Sequence, residues 1–205
     1  MPRGAVRSHA ADRAASAPAA PVEPASHAAP AVIEGAALAF AAFLAVLAPG
    51  PASAFDLQGH RGARGLAPEN TLAAFERALE LGVDTLELDV GISRDDVAVV
   101  VHDRRLNPDV VRDAQGRWLD RPGPPIRALD LAAIRAHDVG RLRPGSAYAA
   151  SQPAQRPVDG ERIPTLAEVF ELARRRGADR VRFNVETKLS PLAPAEAADP
   201  DTFAR

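Results

Sequence analysis

The stretch Gln58-Gly59-His60-Arg61-Gly62-Ala63-Arg64-Gly65-Leu66-Ala67-Pro68-Glu69-Asn70-Thr71 decides the fold. A short apolar lead-in predicts a strand that ends at His60, and the glycine-rich segment after it predicts a turn. A helix is expected to begin near Asn70. Because α/β folds place their chemistry at the ends of strands, His60 and Arg61 are the first candidate functional residues.

The segments around this stretch alternate between strand and helix patterns. The excursion, residues 104–163, is rich in Pro, Gly and Asp and predicts irregular or hairpin structure. The order favours an α/β fold with a mainly parallel sheet; a β/α barrel is the leading architecture and an open doubly wound sheet the alternative. The predicted strands are Asp56–His60, Thr85–Gly91, Val97–His102 and Arg180–Glu186, and the predicted helices are Asn70–Leu81, a short one near Asp130–Ala136, and one from Thr165 that stops at Gly177.

The first 54 residues differ in composition from the rest. Residues 1–34 are rich in Ala and Pro and predict a disordered leader. Within residues 35–54, an apolar run too short to cross a bilayer, which takes about 20 residues, precedes the cleavage-like Ala52-Ser53-Ala54. This pattern predicts a signal peptide, a periplasmic or secreted protein, and no stable membrane span after cleavage. The alternative is a disordered tail with one apolar patch.

Charge and composition exclude several classes of function. The formal net charge is −2 and no run of Lys or Arg is present, so we expect no nucleic-acid partner. The chain contains no Cys, which excludes disulfides, thiolate chemistry and cysteine-based zinc sites.

Polar side chains gather near the ends of the predicted strands. Side chains alternate along a strand, so Glu87 and Asp89 point to one face, and His60, His102 and Glu186 end neighbouring strands on their polar faces. Three carboxylates in one place need protons, Arg or Lys partners, or a cation, and an all-oxygen set suits Ca²⁺ or Mg²⁺. Two histidines suit acid and base catalysis, and basic side chains such as Arg61 and Lys188 suit an anion.

Each of these residues also has an ordinary structural interpretation. A single strand histidine such as His60 is most often a hydrogen-bonded core residue, and Glu87 with Asp89 can form an exposed strand face. Glu69-Asn70 can serve as a helix N-cap. The coincidence of four strands that each end in a polar functional group favours a site.

The chain resembles the glycerophosphodiester phosphodiesterase family over roughly 55–188. The resemblance rests on His60-Arg61-Gly62 followed by Pro68-Glu69-Asn70-Thr71, on Glu87-Leu88-Asp89, on Val101-His102-Asp103, and on Pro164-Thr165-Leu166 with Val185-Glu186-Thr187-Lys188. It implies a β/α barrel, with the excursion in the place of the small insertion after the third strand. It also implies hydrolysis of small glycerophosphodiesters to glycerol 3-phosphate and an alcohol, with Ca²⁺ or Mg²⁺ as cofactor.

The same resemblance implies roles for individual residues. His60 and His102 are the expected acid and base, and Glu87, Asp89 and Glu186 the expected metal ligands. Arg61 is expected to bind the phosphate, with Lys188 and Glu69 as further candidates.

The number of predicted strands leads to a further expectation. A closed eight-stranded barrel takes about 250 residues, whereas residues 55–205 contain about four predicted strands. We therefore expect a partial domain, the N-terminal half of a (β/α)8 barrel truncated at its C-terminus, whose open edges favour self-association. The alternatives are an inactive remnant, a non-catalytic exported module that binds anions, and a phospholipase of a related barrel that acts on intact lipid head groups.

Overall fold

The computed structural model describes residues 55–205, so the predicted leader and signal peptide lie outside the described residues. Four strands form one sheet, and two longer helices pack on its outer face. Short helices occupy the excursion and the C-terminal segment. The strands are β1 (Gln58–Gly59), β2 (Thr85–Ile92), β3 (Ala98–Val100) and β4 (Arg182–Thr187), and the helices are α1 (Leu72–Glu80), α2 (Leu131–Arg135), α3 (Ala147–Ser151), α4 (Leu166–Arg175) and α5 (Pro200–Phe203), with 3₁₀ turns at Ile126–Ala128 and Pro194–Glu196.

Strand β2 is the centre of the sheet. It pairs in parallel with β1 and, from Thr85 to Val90, with β4, in a register that sets Asp89 beside Glu186. The first strand is shorter than predicted, because only Gln58 and Gly59 pair with β2. The prediction of an α/β fold with parallel strands is confirmed for β1, β2 and β4.

The third strand departs from the parallel arrangement that a half barrel implies, within a sheet that is mainly parallel as predicted. Strand β3 pairs antiparallel with β2, with Val90 beside Val100 and Ile92 beside Ala98. The reason is a tight turn in which the Ser93 backbone donates to the Val97 carbonyl at 3.0 Å, so the chain doubles back. Three parallel strands and one antiparallel strand therefore replace the four barrel strands that the sequence predicts.

Two apolar clusters lie on opposite sides of β3. Val100 belongs to the cluster between the sheet and helices α1 and α4, which includes Phe75 and Leu86. Val99 belongs to the second cluster, beneath the excursion, together with Ile126 and Ile134. This Val-rich strand is therefore buried on both faces.

The helix ends follow the sequence signals closely. Helix α1 begins at Leu72, two residues after the predicted start, and Thr71 caps it with a hydroxyl that accepts from the Ala74 backbone. At α4, Thr165 and Glu168 form a capping box at the predicted helix start. Asp130 caps α2, the short helix predicted in the excursion. In residues 55–205 no helix is long and apolar enough to cross a bilayer.

Candidate active site

Three carboxylates meet on the inner face of the sheet. Glu87 and Asp89 alternate with buried Leu86 and Leu88 along β2, and Glu186 stands beside Asp89 in β4. One oxygen from each of the three carboxylates lies within 4.8 Å of the others. Asp89 is buried, Glu87 is partly buried and Glu186 is exposed, so the group opens towards solvent on one side.

Positive and neutral donors surround Asp89. The Lys188 Nζ atom lies 2.7 Å from Asp89 Oδ1, and Arg61 Nε lies 3.2 Å from Oδ2. The Asn70 side-chain amide donates to Oδ2 at 2.8 Å. Burial raises the pKa of Asp89, but Lys188, Asn70 and Arg61 outweigh it and hold the pKa below its usual value. Asp89 is therefore a carboxylate at neutral pH.

The loop before α1 wraps around the carboxylates with unusual backbone angles. Arg61 and Asn70 both have positive φ values, 53° and 54°. The Arg61 N–H donates to Glu87 Oε2 at 2.7 Å, and the Asn70 N–H donates to the Arg61 carbonyl at 3.0 Å. Left-handed angles cost non-glycine residues about 1–3 kcal/mol each, so these hydrogen bonds hold a loop that would otherwise relax.

Both the backbone angle and the packing at position 62 require glycine. Its φ is +79°, and a Cβ there would lie 2.6 Å from the Ala74 backbone. Gly62 therefore lets the loop pack directly on helix α1. At Gly65 a Cβ would meet nothing nearer than the Gln152 side chain at 3.8 Å.

Arg61 is also held at the outer end of its side chain. Its Nη1 atom donates to Glu69 Oε1 at 3.0 Å and to the Tyr148 hydroxyl at 3.1 Å. The Tyr148 hydroxyl donates in turn to Glu69 Oε2. A residue of the excursion thus contacts the predicted phosphate-binding arginine.

The two predicted catalytic histidines have different surroundings. His60 is half-exposed, and its Nε2 lies 3.9 Å from Glu87 Oε2. His102 Nδ1 lies 3.0 Å from Asp103 Oδ1, and Asn107 donates to the other Asp103 oxygen at 2.7 Å. Burial raises the pKa of Asp103, but the bonds from His102 and Asn107 outweigh it and lower the pKa. Asp103 therefore accepts from Nδ1–H and leaves Nε2 of His102 free for proton transfer.

The antiparallel course of β3 changes how His102 reaches the site. Because β3 runs back along β2, the Val101 backbone bonds to the Asp89 carbonyl at 2.9 Å. His102 follows and lines a small cavity of about 30 Å³ together with Glu69, Asn70 and Asp103. Val100, two residues before His102, is buried in the cluster between the sheet and the outer helices.

The structure brings the predicted site residues to one end of the sheet. His60, Glu87 and Arg61 form one contact group, and Asp89, Glu186 and Lys188 form another that shares Arg61. Reasoning from sequence missed three contributors: Asn70, Asp103 and Tyr148. Asn70 and Asp103 stand next to predicted site residues, which was a usable signal. Tyr148 lies 87 residues from Arg61 in an irregular segment, where no pattern marks it.

The donor set fits a hard divalent cation. Four carboxylates, counting Glu69, stand against two cationic side chains, Arg61 and Lys188, which leaves a formal excess of two negative charges. All the clustered ligand atoms are carboxylate oxygens, the type that Ca²⁺ and Mg²⁺ prefer. The acidic cluster can therefore hold such an ion.

Comparisons with known proteins agree on one family. A family model described as the glycerophosphoryl diester phosphodiesterase family matches residues 60–200. A glycerophosphodiester phosphodiesterase of Caldanaerobacter subterraneus subsp. tengcongensis is 40% identical over 113 residues, 55% of this chain and 38% of the relative. One of Bacillus subtilis is 30% identical over 135 residues, 66% of this chain and 40% of the relative.

A solved structure supports the same grouping. A crystal structure of a Silicibacter pomeroyi protein assigned to the glycerophosphoryl diester phosphodiesterases matches with a TM-score of 0.65 and 38% identity. The match covers 69% of this chain and 48% of that one. The chain thus spans less than half the length of each of these three relatives.

Proposed function

The chain belongs to the glycerophosphoryl diester phosphodiesterase family, and from that membership we propose that its site hydrolyses small glycerophosphodiesters to glycerol 3-phosphate and an alcohol. The single observation that carries the proposal is the group of three carboxylates, Glu87, Asp89 and Glu186, within 4.8 Å and beside Arg61, Lys188 and His60. His102 lines a cavity together with Glu69 and Asn70. This combination provides a cation site, phosphate donors and proton carriers at one end of one sheet.

We propose Glu87, Asp89 and Glu186 as the ligands of Ca²⁺ or Mg²⁺. A bound divalent cation supplies charge neutralisation for a phosphate oxygen. Lys188 contacts both Asp89 and Glu186, so its ammonium orients these two carboxylates. The Arg61 backbone N–H fixes the third, Glu87.

Arg61 is the proposed phosphate-binding residue. Glu69 and Asp89 hold its guanidinium from two sides, which leaves Nη2 without a protein partner among residues 55–205. A planar guanidinium on a fixed stem is suited to a phosphate oxygen, and the negative charge of the diester complements it.

His60 and His102 are the proposed proton carriers. One accepts a proton from the attacking hydroxyl, and the other donates a proton to the departing alkoxide. Asp103 fixes His102 with Nε2 outward, whereas half-exposed His60 is open to solvent. The two roles can be assigned in either direction, and the attacking group is water or a hydroxyl of the substrate's own glycerol.

The place of this chain in the barrel is part of the proposal. We propose β1, β2 and β4 as consecutive parallel strands of the N-terminal half of a (β/α)8 barrel. The excursion, residues 104–163, is then an insertion between strands, placed after β3 in chain order. Export to the periplasm or the medium, proposed from the leader, agrees with a substrate that is a small soluble molecule.

Glycerophosphocholine hydrolysis in the presence of Mg²⁺ or Ca²⁺ tests the function. We expect activity that a chelator abolishes, and a His102→Ala variant about 10²–10⁴-fold slower because a proton carrier is lost. His137→Ala is the matched control, since among residues 55–205 the imidazole of His137 bonds to the Ala133 carbonyl of its own segment and to none of the proposed site residues. Unchanged activity in His102→Ala contradicts the assignment of His102.

A second readout does not depend on turnover. Mg²⁺ that binds the folded state raises the melting temperature, and we expect this rise to vanish in Glu186→Gln. Activity on micellar phospholipid instead of the soluble diester would indicate a phospholipase. Binding of glycerol 3-phosphate without any hydrolysis would indicate a non-catalytic anion-binding module.

A further inference from the structure

Tyr148 has a hydroxyl that accepts and donates at the same time. It accepts from Arg61 Nη1 at 3.1 Å and donates to Glu69 Oε2. Arg61 Nη1 closes the ring by donating to Glu69 Oε1 at 3.0 Å. A hydroxyl can fill both roles at one atom, whereas the ring of Phe can fill neither.

The environment keeps this phenol in the donor form. Burial raises the pKa of Tyr148, and the neighbouring carboxylate of Glu69 raises it further. At neutral pH the hydroxyl therefore carries its proton, and Glu69 is its acceptor. The direction of both hydrogen bonds is thus defined by the charges around the ring.

The segment that carries Tyr148 is fastened to the loop that carries Arg61. Gln155 Nε2 donates to the Arg64 carbonyl at 2.8 Å, and the Arg156 N–H donates to the Leu66 carbonyl at 2.9 Å. These contacts place residues 147–156 against residues 61–66. Tyr148 therefore contacts Arg61 from a segment whose position these hydrogen bonds fix.

We propose that Tyr148 is a positioning residue of the site, which locks Glu69 and, through it, fixes the Arg61 guanidinium in the orientation that meets a phosphate oxygen. This inference rests on the proposed phosphodiester chemistry and adds a role for the excursion. An ion pair with Asp89, at 3.2 Å from Nε, and hydrogen bonds from Nη1 to Glu69 and Tyr148 restrain Arg61. Its side chain consequently loses little further freedom when the phosphate arrives.

Two carboxylates beside Arg61 explain why the contact with Tyr148 is needed to fix the guanidinium. Glu69 and Asp89 both form ion pairs with Arg61. If Glu69 could rotate, it would draw the guanidinium away from the phosphate. With its second oxygen bonded to Tyr148, Glu69 is prevented from rotating. The guanidinium then keeps its plane.

Tyr148→Phe is the direct test, because it removes one oxygen and keeps the ring. We expect kcat/KM for glycerophosphocholine to fall about tenfold, the typical effect of losing a hydrogen bond to a charged group. The loss falls mainly on KM, since Arg61 holds the phosphate in both the ground state and the transition state. Glycerol 3-phosphate, measured by calorimetry with Mg²⁺ present, is expected to bind about tenfold more weakly.

Ser151→Ala is the matched control. Ser151 lies on the same short helix, and its hydroxyl donates to the Tyr148 carbonyl at 2.7 Å without contacting Arg61 or Glu69. We expect this variant to match the wild type in kcat, KM and glycerol 3-phosphate affinity. An equal loss in Ser151→Ala would overturn the proposal, because the effect would then belong to the anchoring of the helix.

A double-mutant cycle distinguishes positioning of Glu69 by Tyr148 from a general effect on the attachment of the segment. If Tyr148 acts through Glu69, Tyr148→Phe has little further effect in a Glu69→Gln background, and fully additive losses overturn the proposal. Wild-type values in Tyr148→Phe overturn it as well.

The two proposals fail in different ways. Weakened glycerol 3-phosphate binding in Tyr148→Phe, in a wild type that does not hydrolyse diesters, supports the role of Tyr148 and refutes the hydrolase. A wild type that neither hydrolyses nor binds glycerol 3-phosphate refutes both.

Discussion

Arg61 and Asn70 shape the site through their backbones as well as their side chains. Both residues have left-handed φ angles, and one hydrogen bond ties their backbones together. Gly62, between them, also has a positive φ and lies directly on helix α1. Three adjustments of this kind within ten residues bring one charged side chain, Arg61, and one amide, Asn70, to the same carboxylate, Asp89.

Replacement of Gly62 by Ala should destabilise the protein. A positive φ costs Ala about 1 kcal/mol, and the Cβ would meet the Ala74 backbone at 2.6 Å, an overlap that typically costs about 1–3 kcal/mol. We expect a loss of about 2–4 kcal/mol in the free energy of unfolding, measured in urea. Gly65→Ala, which has open space around it, is the control and should change this free energy little. A Gly62→Ala variant as stable as the wild type would contradict the packing argument.

The alternation of side chains along strands predicts a large part of the site from sequence. It places Glu87 and Asp89 on one face because a strand has a period of two, and the structure shows the same face. It cannot predict Tyr148, because that residue reaches the site through a long irregular segment whose course depends on tertiary contacts. The hydrophobic pattern also cannot predict the direction of β3, since a Val-rich run looks the same in a parallel and an antiparallel pair.

At the scale of elements, the excursion is held together by a network of ion pairs. Arg141 donates twice to Asp159, at 2.9 and 2.6 Å, and Arg112 donates to the same carboxylate at 2.6 Å. Arg112 also contacts Asp138 at 2.7 Å. The network links the two ends of a segment that contains little regular secondary structure.

Asp159 should titrate at an unusually low pH. Hydrogen bonds from Arg141 and then Arg112 lower its pKa from 3.8 to about 2. A depressed carboxyl pKa adds stability above the unfolded value of 3.8, and this contribution is lost as the pH falls through about 2. An NMR titration of the carboxyl checks the midpoint, which Arg141→Gln should raise towards the ordinary value. Arg121→Gln, an exposed change in the same excursion, should leave it unaltered, and a wild-type midpoint near the ordinary value would contradict the network.

At the scale of the whole molecule, the outer edge of β4 is unpaired among residues 55–205. The backbone N–H groups of Arg182 and Lys188 donate to the carbonyls of Asp84 and Val90 on the β2 side. In a parallel pair such bonds alternate, so those of Phe183, Val185 and Thr187 face outward. An exposed edge of this kind is a template for pairing with another strand.

We expect the chain to self-associate through this edge as its concentration rises. Val185→Lys places a charge on β4 and should shift sedimentation velocity profiles towards the monomer, because a lysine on an edge strand opposes pairing. Val158→Lys is the matched control, since Val158 has nearly the same exposure, 40% against 38%, but lies in the excursion. A wild-type protein that sediments as a monomer at every concentration would contradict the prediction.

Because β3 doubles back, the side chains of the site are supported in two ways. The carboxylates of Glu87, Asp89 and Glu186 stand on parallel strands whose spacing the sheet dictates. His102 stands on a hairpin whose turn is clamped from outside, where Asp95 accepts from the Leu131 N–H and the Arg94 N–H donates to the Leu129 carbonyl. Substitutions in the excursion can therefore act on His102, the proposed proton carrier, without changing the strand pairing that spaces the three carboxylates.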